Sequence, residues 1–127
     1  MQSKRFHIQA NTDVHVLLNN VTYLTRQKVV DEVAITEIAT VTSELAYNII
    51  KYGCSGTITL SYSDTQCIIE AIDNGTGMQM SIEKAFVEGN SSSGSLGLGM
   101  SSIVRMSDEF NLTTSDSGTC VTCIKEY

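Results

Sequence analysis

The sequence predicts a two-layer α/β sandwich: one mixed, mostly antiparallel sheet with helices on one face. Three observations predict it. Segments of period two alternate with segments of period three to four along the chain. The strand-like segments are apolar on one side at most positions, so the sheet has one face to bury. The order runs strand, helix, helix, two strands, short helix, glycine-rich stretch, helix and two closing strands, with no internal repeat.

Taken in order, Lys4 to Ala10 reads as a strand with Phe6 and Ile8 on one face. Asp13 suits a helix cap, and the segment to about Lys28 carries Val14, Leu17, Leu18, Val21 and Leu24 at helical spacing. The second helix spans Glu32 to Tyr52. There Ile35, Ile38, Thr42, Leu45, Ile49 and Tyr52 make a mostly apolar stripe, and Gly53 follows as a C-cap. Ile58, Leu60 and Tyr62 alternate with Thr57, Thr59 and Ser61, and Ser63-Asp64 reads as a turn. Cys67 to Ile72 is almost continuously apolar, as a central strand is, and runs into Asp73. A short helix over 81–89 and a low-complexity run over 90–99 follow. Residues 100–109 read as a helix, and 110–115 with 118–127 as a closing strand pair about the turn Asp116-Ser117-Gly118.

A chain of 127 residues argues for one domain over 1–127. Hydrophobic content of 42% excludes a disordered chain. A net charge of -6, with basic runs no longer than Lys4-Arg5 and Arg26-Gln27-Lys28, argues against nucleic acid, which needs grouped cations. No apolar run approaches the roughly 20 residues that cross a bilayer. The first residues lack an apolar secretory segment, so the expectation is a cytoplasmic protein whose cysteines are reduced thiols. Cys120 and Cys123 form a C-x-x-C string, but their odd separation in a strand sends them to opposite faces, which suits neither zinc nor a disulfide.

Three motifs carry candidate chemistry. Glu44 and Asn48 lie four apart on the second helix and share a face that also carries Lys51. A carboxamide oxygen can ligate Mg²⁺, and a carboxylate can take a proton from an attacking hydroxyl. In Asp73-Asn74-Gly75-Thr76-Gly77, an acceptor at the end of a buried strand meets glycines that let backbone approach a ligand. In Gly94-Ser95-Leu96-Gly97-Leu98-Gly99, spaced glycines run into a helix whose first N–H groups, through Met100, can face an anion. Each motif alone is ordinary: a solvated helix face, a turn, a flexible loop. The run also lacks the Gly-Lys-Ser/Thr ending of a P-loop.

Their fixed order on helix face, strand end and helix N-terminus changes that. ELAYNIIKYG, DNGTG and GSLGLG resemble the N, G1 and G2 boxes of the GHKL superfamily, which has the Bergerat ATP-binding fold. SELAYNIIKYG, DNGTGM and SSSGSLGLGMSSIVRMSDEF, followed by Gly118-Thr119, are similar to the small anti-sigma-factor serine/threonine kinases, most of all the RsbT-type switch kinases of stressosome pathways. The similarity spans roughly residues 32 to 125. It implies Glu44 as general base, Asn48 as Mg²⁺ ligand, and Asp73 as adenine reader with Gly75 and Gly77 shaping its pocket. It further implies Gly94, Gly97, Leu98, Gly99 and Met100 as a phosphate-binding loop, Ser91 to Ser95 as an ATP lid and Thr119 beside the adenine. ATP and Mg²⁺ are the implied cofactors. A STAS-domain protein is the implied substrate, with a PP2C-type phosphatase or a sigma factor as a further partner.

One departure stands out. Related kinases carry a first-helix arginine directed at the γ-phosphate, whereas VHVLLNNVTYLTRQK offers none before Arg26. Arg26 or Lys51 takes that role, or transfer is slow. A non-catalytic regulator, whose surface ATP shapes for a sigma factor or phosphatase, is the alternative reading. Chain length argues against a histidine kinase with its dimerisation helices and against a gyrase-type ATPase with its transducer domain.

Overall fold

The computed structural model describes residues 2–53, 55–75 and 99–127. They form β1 (Gln2–Ile8), α1 (Asn11–Arg26), α2 (Glu32–Asn48), a π-helical turn (Ile49–Gly53), β2 (Gly56–Tyr62), β3 (Gln66–Asp73), α3 (Gly99–Met106), β4 (Glu109–Ser115) and β5 (Gly118–Glu126). The short helix expected over 81–89 and the glycine-rich run before α3 lie outside the described residues.

Local chemistry sets the helix ends. Asp13 is not the cap residue of α1 but stands inside its first turn, where Oδ2 accepts the N–H groups of Gln9 at 2.9 Å and Ala10 at 3.0 Å. A carboxylate there satisfies donors that the helix cannot, so the helix starts three residues earlier than a cap at Asp13 would place it. Asp31 caps α2 by accepting the Val33 N–H at 3.1 Å. The expected helix to Tyr52 keeps α geometry only to Asn48 and then widens into the π turn.

The sheet order is β1-β2-β3-β5-β4, and all four pairings are antiparallel. Ile58, Leu60, Cys67, Ile69, Ala71, Val121 and Cys123 turn one sheet face inward, with Phe110 and Leu112 packed at its edge. Helix α2 lies across β2, β3 and β5, while α1 packs on α2 and β1. Val14, Leu17, Val21, Ile35, Ile38, Val41 and Leu45 supply the helical half of the core. This is the expected two-layer sandwich, and within the described residues its sheet is wholly antiparallel.

Cys123 is buried and Cys120 half-buried, on opposite faces of β5 as the odd spacing requires. Burial pushes the Cys67 thiol up to about 12 and that of Cys123 up to about 11.

Register produces the arrangement that matters most. Ile8, Gly56, Asp73, Thr119 and Thr114 are successive cross-strand partners, so one row crosses all five strands. The row lies at the sheet end reached by the C-terminus of α2. Thr25 and Tyr62, joined by a 2.7 Å hydrogen bond, mark the opposite end.

Candidate functional site

The site is built on the row that contains Asp73. Asp73 Oδ1 accepts the backbone N–H of Gly75 at 3.1 Å and that of Thr119 at 3.3 Å. Two donors fix the carboxylate. Among the described residues Oδ2 is then the oxygen left for a ligand.

Both neighbours of this strand end are glycines. A Cβ on Gly56 would stand 2.2 Å from the Ile72 carbonyl oxygen, and one on Gly118 would stand 2.2 Å from that of Asp73. Gly118 also has φ +146°, which side chains rarely adopt. Ser55 joins the start of β2 to the loop after Asp73. Its carbonyl accepts the Asn74 N–H at 3.1 Å, and its hydroxyl donates to Asn74 Oδ1 at 3.0 Å.

Helix α2 supplies the other wall. Glu44 is 3% exposed and lies one turn before Asn48. Asn48 donates from Nδ2 to the sulfur of Met100 at 3.1 Å. A thioether sulfur only accepts, so Nδ2 faces Met100 and Oδ1 is the acceptor end of the amide. The π turn starts at the next residue. Such one-turn widenings are frequent at functional sites.

Asn48, Asp73, Met100 and Thr119 line one recess, with Leu45, Ile49, Ala71 and Val121 as its apolar wall. The recess holds about 10 Å³ in this conformation, room for a single water. An apolar slot with a few convergent polar groups is the usual form of a small-ligand site.

Other expected residues lie beside this recess or away from it. Gly75 is buried next to Asp73, Gly99 opens α3, and Lys51 is exposed in the π turn outside the recess wall. Gly77, Gly94, Gly97, Leu98 and the Ser91–Ser95 lid lie outside the described residues. Arg26 is at the wrong end of the molecule. It follows Thr25, which bonds Tyr62, and Tyr62 is six residues along β2 from Gly56, about 20 Å at strand rise. Its guanidinium grips Glu32 through bonds of 2.5 and 3.0 Å, which raise the pKa of Arg26 and lower that of Glu32. Arg26 thus lies toward the sheet end opposite the recess.

The residue pattern does not single out Gly56, Ser55 or Thr114. Gly56 carries a weak signal, a glycine opening a strand. Thr114 carries none, because only β4–β5 register brings it beside Thr119.

The donor set fits Mg²⁺, which takes oxygen ligands and needs few from protein when phosphates and waters supply the rest. Asn48 Oδ1 is an oxygen of the kind that could serve. Among the described residues no three His, Cys, Asp or Glu side chains gather into a metal cage. No described helix is long and apolar enough to cross a membrane.

Residues 9–125 match the histidine kinase-like ATPase domain family. No curated protein matches the chain. Among solved structures, the crystal structure of the RsbU and RsbW domains of Rv1364c from Mycobacterium tuberculosis is similar, with a TM-score of 0.68 at 15% identity over 96% of this chain. At that identity the likeness speaks for the fold. The chain spans about a third of that protein's length, 32%.

Proposed function

This chain belongs to the histidine kinase-like ATPase domain family, and from that premise we propose that it binds Mg-ATP and transfers the γ-phosphoryl group to a Ser or Thr of a STAS-domain protein. The setting we propose is a bacterial partner-switching pathway in the cytoplasm, of the RsbT type, with a PP2C-type phosphatase or a sigma factor as a further partner. One observation carries the reading. Asn48 from α2, Asp73 from β3 and Thr119 from β5 converge on a single recess, with Glu44 buried one turn from Asn48.

Each residue then has a task. Asp73 Oδ2 accepts from the exocyclic amino group of adenine, while Oδ1 stays with its two backbone donors. Leu45, Ile49, Ala71 and Val121 exclude water from the base. Asn48 Oδ1 would hold Mg²⁺, which neutralises charge on the phosphate oxygens when bound. The first N–H groups of α3, from Gly99 and Met100, face the phosphates, with Gly94, Gly97 and Leu98 completing the loop. Lys51 supplies a nearby cation. Glu44 takes the proton from the attacking hydroxyl.

A second reading, an ATP-gated regulator without transfer, is favoured by the position of Arg26. With that cation at the far end, no first-helix arginine reaches the phosphates.

Phosphotransfer separates the two. The purified chain is incubated with Mg-ATP and STAS-domain proteins, and the partners are read by intact mass. A gain of one phosphate, absent with Asn48→Ala, supports the kinase. Glu44→Gln is expected to keep ATP binding and lose transfer. ATP binding without any gain in mass favours the regulator.

A further inference from the structure

We propose that Met100 is a positioning residue for the metal ligand: its thioether sulfur holds the Asn48 amide by the nitrogen and leaves the oxygen for Mg²⁺. The inference rests on the Mg-ATP reading above.

The contact joins two elements of the site. Asn48 is the last residue of α2, and Met100 is the second residue of α3, whose first N–H groups that reading gives to the phosphates. Asn48 Nδ2 lies 3.1 Å from the Met100 sulfur, and both residues line the recess. Among the described residues this is the single hydrogen bond of the Asn48 side chain. Methionine is flexible by nature, but Met100 is 1% exposed, so packing confines its sulfur to this place.

An amide has a donor end and an acceptor end, and a half-turn about its last torsion exchanges them. With the nitrogen toward the sulfur, the bond is made and Oδ1 stands at the other end of the amide. With the oxygen toward the sulfur, two acceptors meet at bonding distance, and the nitrogen is the end left for a cation.

A metal ion selects the oxygen by itself, but it supplies no acceptor for the nitrogen. Asn48 is half-buried. Turning Oδ1 to the metal without a partner for Nδ2 would leave a partly buried donor unpaired, which costs free energy. Met100 removes that cost, because the arrangement that can ligate is the one that already satisfies Nδ2. The same logic asks for an amide at this position. An aspartate would bring more charge to a cation but offer the sulfur no donor.

The test is a double-mutant cycle. Leucine at position 100 nearly keeps the volume of methionine and removes the acceptor. ATP affinity is measured by calorimetry, with Mg²⁺ and with EDTA, on the wild type, Met100→Leu, Asn48→Ala and the double variant. The ratio of the two affinities is the gain due to the metal. Met100→Leu is expected to lower that gain about fivefold, the size of one hydrogen bond, and to leave the EDTA affinity unchanged. In the Asn48→Ala background the same substitution is expected to change nothing, since Met100 acts through Asn48. A packing role alone would lower both affinities together or act equally in both backgrounds, and either result overturns the proposal. A second measurement needs no variant at position 100. The Asn48 Nδ2 protons, identified by their loss in Asn48→Ala, are expected to show a nuclear Overhauser effect to the Met100 methyl group in the wild type, with and without Mg-ATP. Its disappearance when Mg-ATP binds overturns the proposal. A wild type that gains nothing from Mg²⁺ overturns the metal assignment of Asn48 and the proposal with it. One that does not bind ATP at all overturns the reading on which both rest.

Discussion

Gly118 lies so close to Asp73 that a Cβ on the glycine would stand 2.2 Å from the aspartate's carbonyl oxygen. Gly56 crowds the same strand end from the other side, so Asp73 is clamped between two residues without side chains. Gly118→Ala adds a strained φ to this clash and is expected to cost about 2 kcal/mol of stability. Gly56→Ala has no such φ and acts through the clash alone. Both variants are expected to shift Asp73 and weaken ATP binding at least about tenfold, a change of one hydrogen bond. Urea titration and calorimetry measure the two effects, and wild-type values in both would show that the row yields easily.

Asp73→Asn separates holding the loop from reading the base. The side-chain oxygen of asparagine can still accept from Gly75 and Thr119, so the fold survives. Its amide nitrogen then faces the amino group of adenine, donor against donor. ATP binding is expected to vanish while the melting temperature stays within a few degrees. Undiminished binding would remove Asp73 from base recognition.

Arg26→Ala tests the assignment of Arg26 to the far end of the sheet. The ion pair with Glu32 is exposed, so its loss changes stability little. ATP affinity and any phosphotransfer are expected to match the wild type. A selective fall in transfer would mean that Arg26 reaches the phosphates after all.

The buried thiols make the fold sensitive to alkali. Burial holds the Cys67 and Cys123 pKa values at about 12 and about 11. The folded chain keeps these protons after the unfolded chain has released them. Their contribution is therefore full below the ordinary thiol range and is lost as pH rises through about 11 and about 12. Urea midpoints measured from pH 8 to 11 are expected to fall progressively. Cys67→Ala should flatten the slope, whatever it does to stability at neutral pH. A midpoint independent of pH would contradict the burial of these thiols.

Much of this protein is written locally. The apolar stripe from Ile35 to Ile49, the alternation of Ile58, Leu60 and Tyr62, and the near-continuous run from Cys67 to Ile72 each specify an element, because side-chain period and backbone period must agree. The same logic separates Cys120 from Cys123. Glu44 and Asn48 share a helix face by spacing alone, and Asp73 ends its strand because glycine and asparagine follow.

Other features depend on partners far along the chain. The carboxylate contacts of Asp13, which start α1 early, and the widening after Asn48 are local departures that periodicity does not encode. The fate of Arg26 is a matter of which end of the sheet α1 reaches, and spacing within a helix does not say which end that is. The row joining Gly56, Asp73, Thr119 and Thr114 exists only through strand register, since shifting a strand by one residue turns every side chain to the other face. The sequence by itself determined which residues could do chemistry and on which kind of element each sits. Only the tertiary structure decided which of them meet, because strand pairing and helix packing join residues that the chain keeps tens of positions apart.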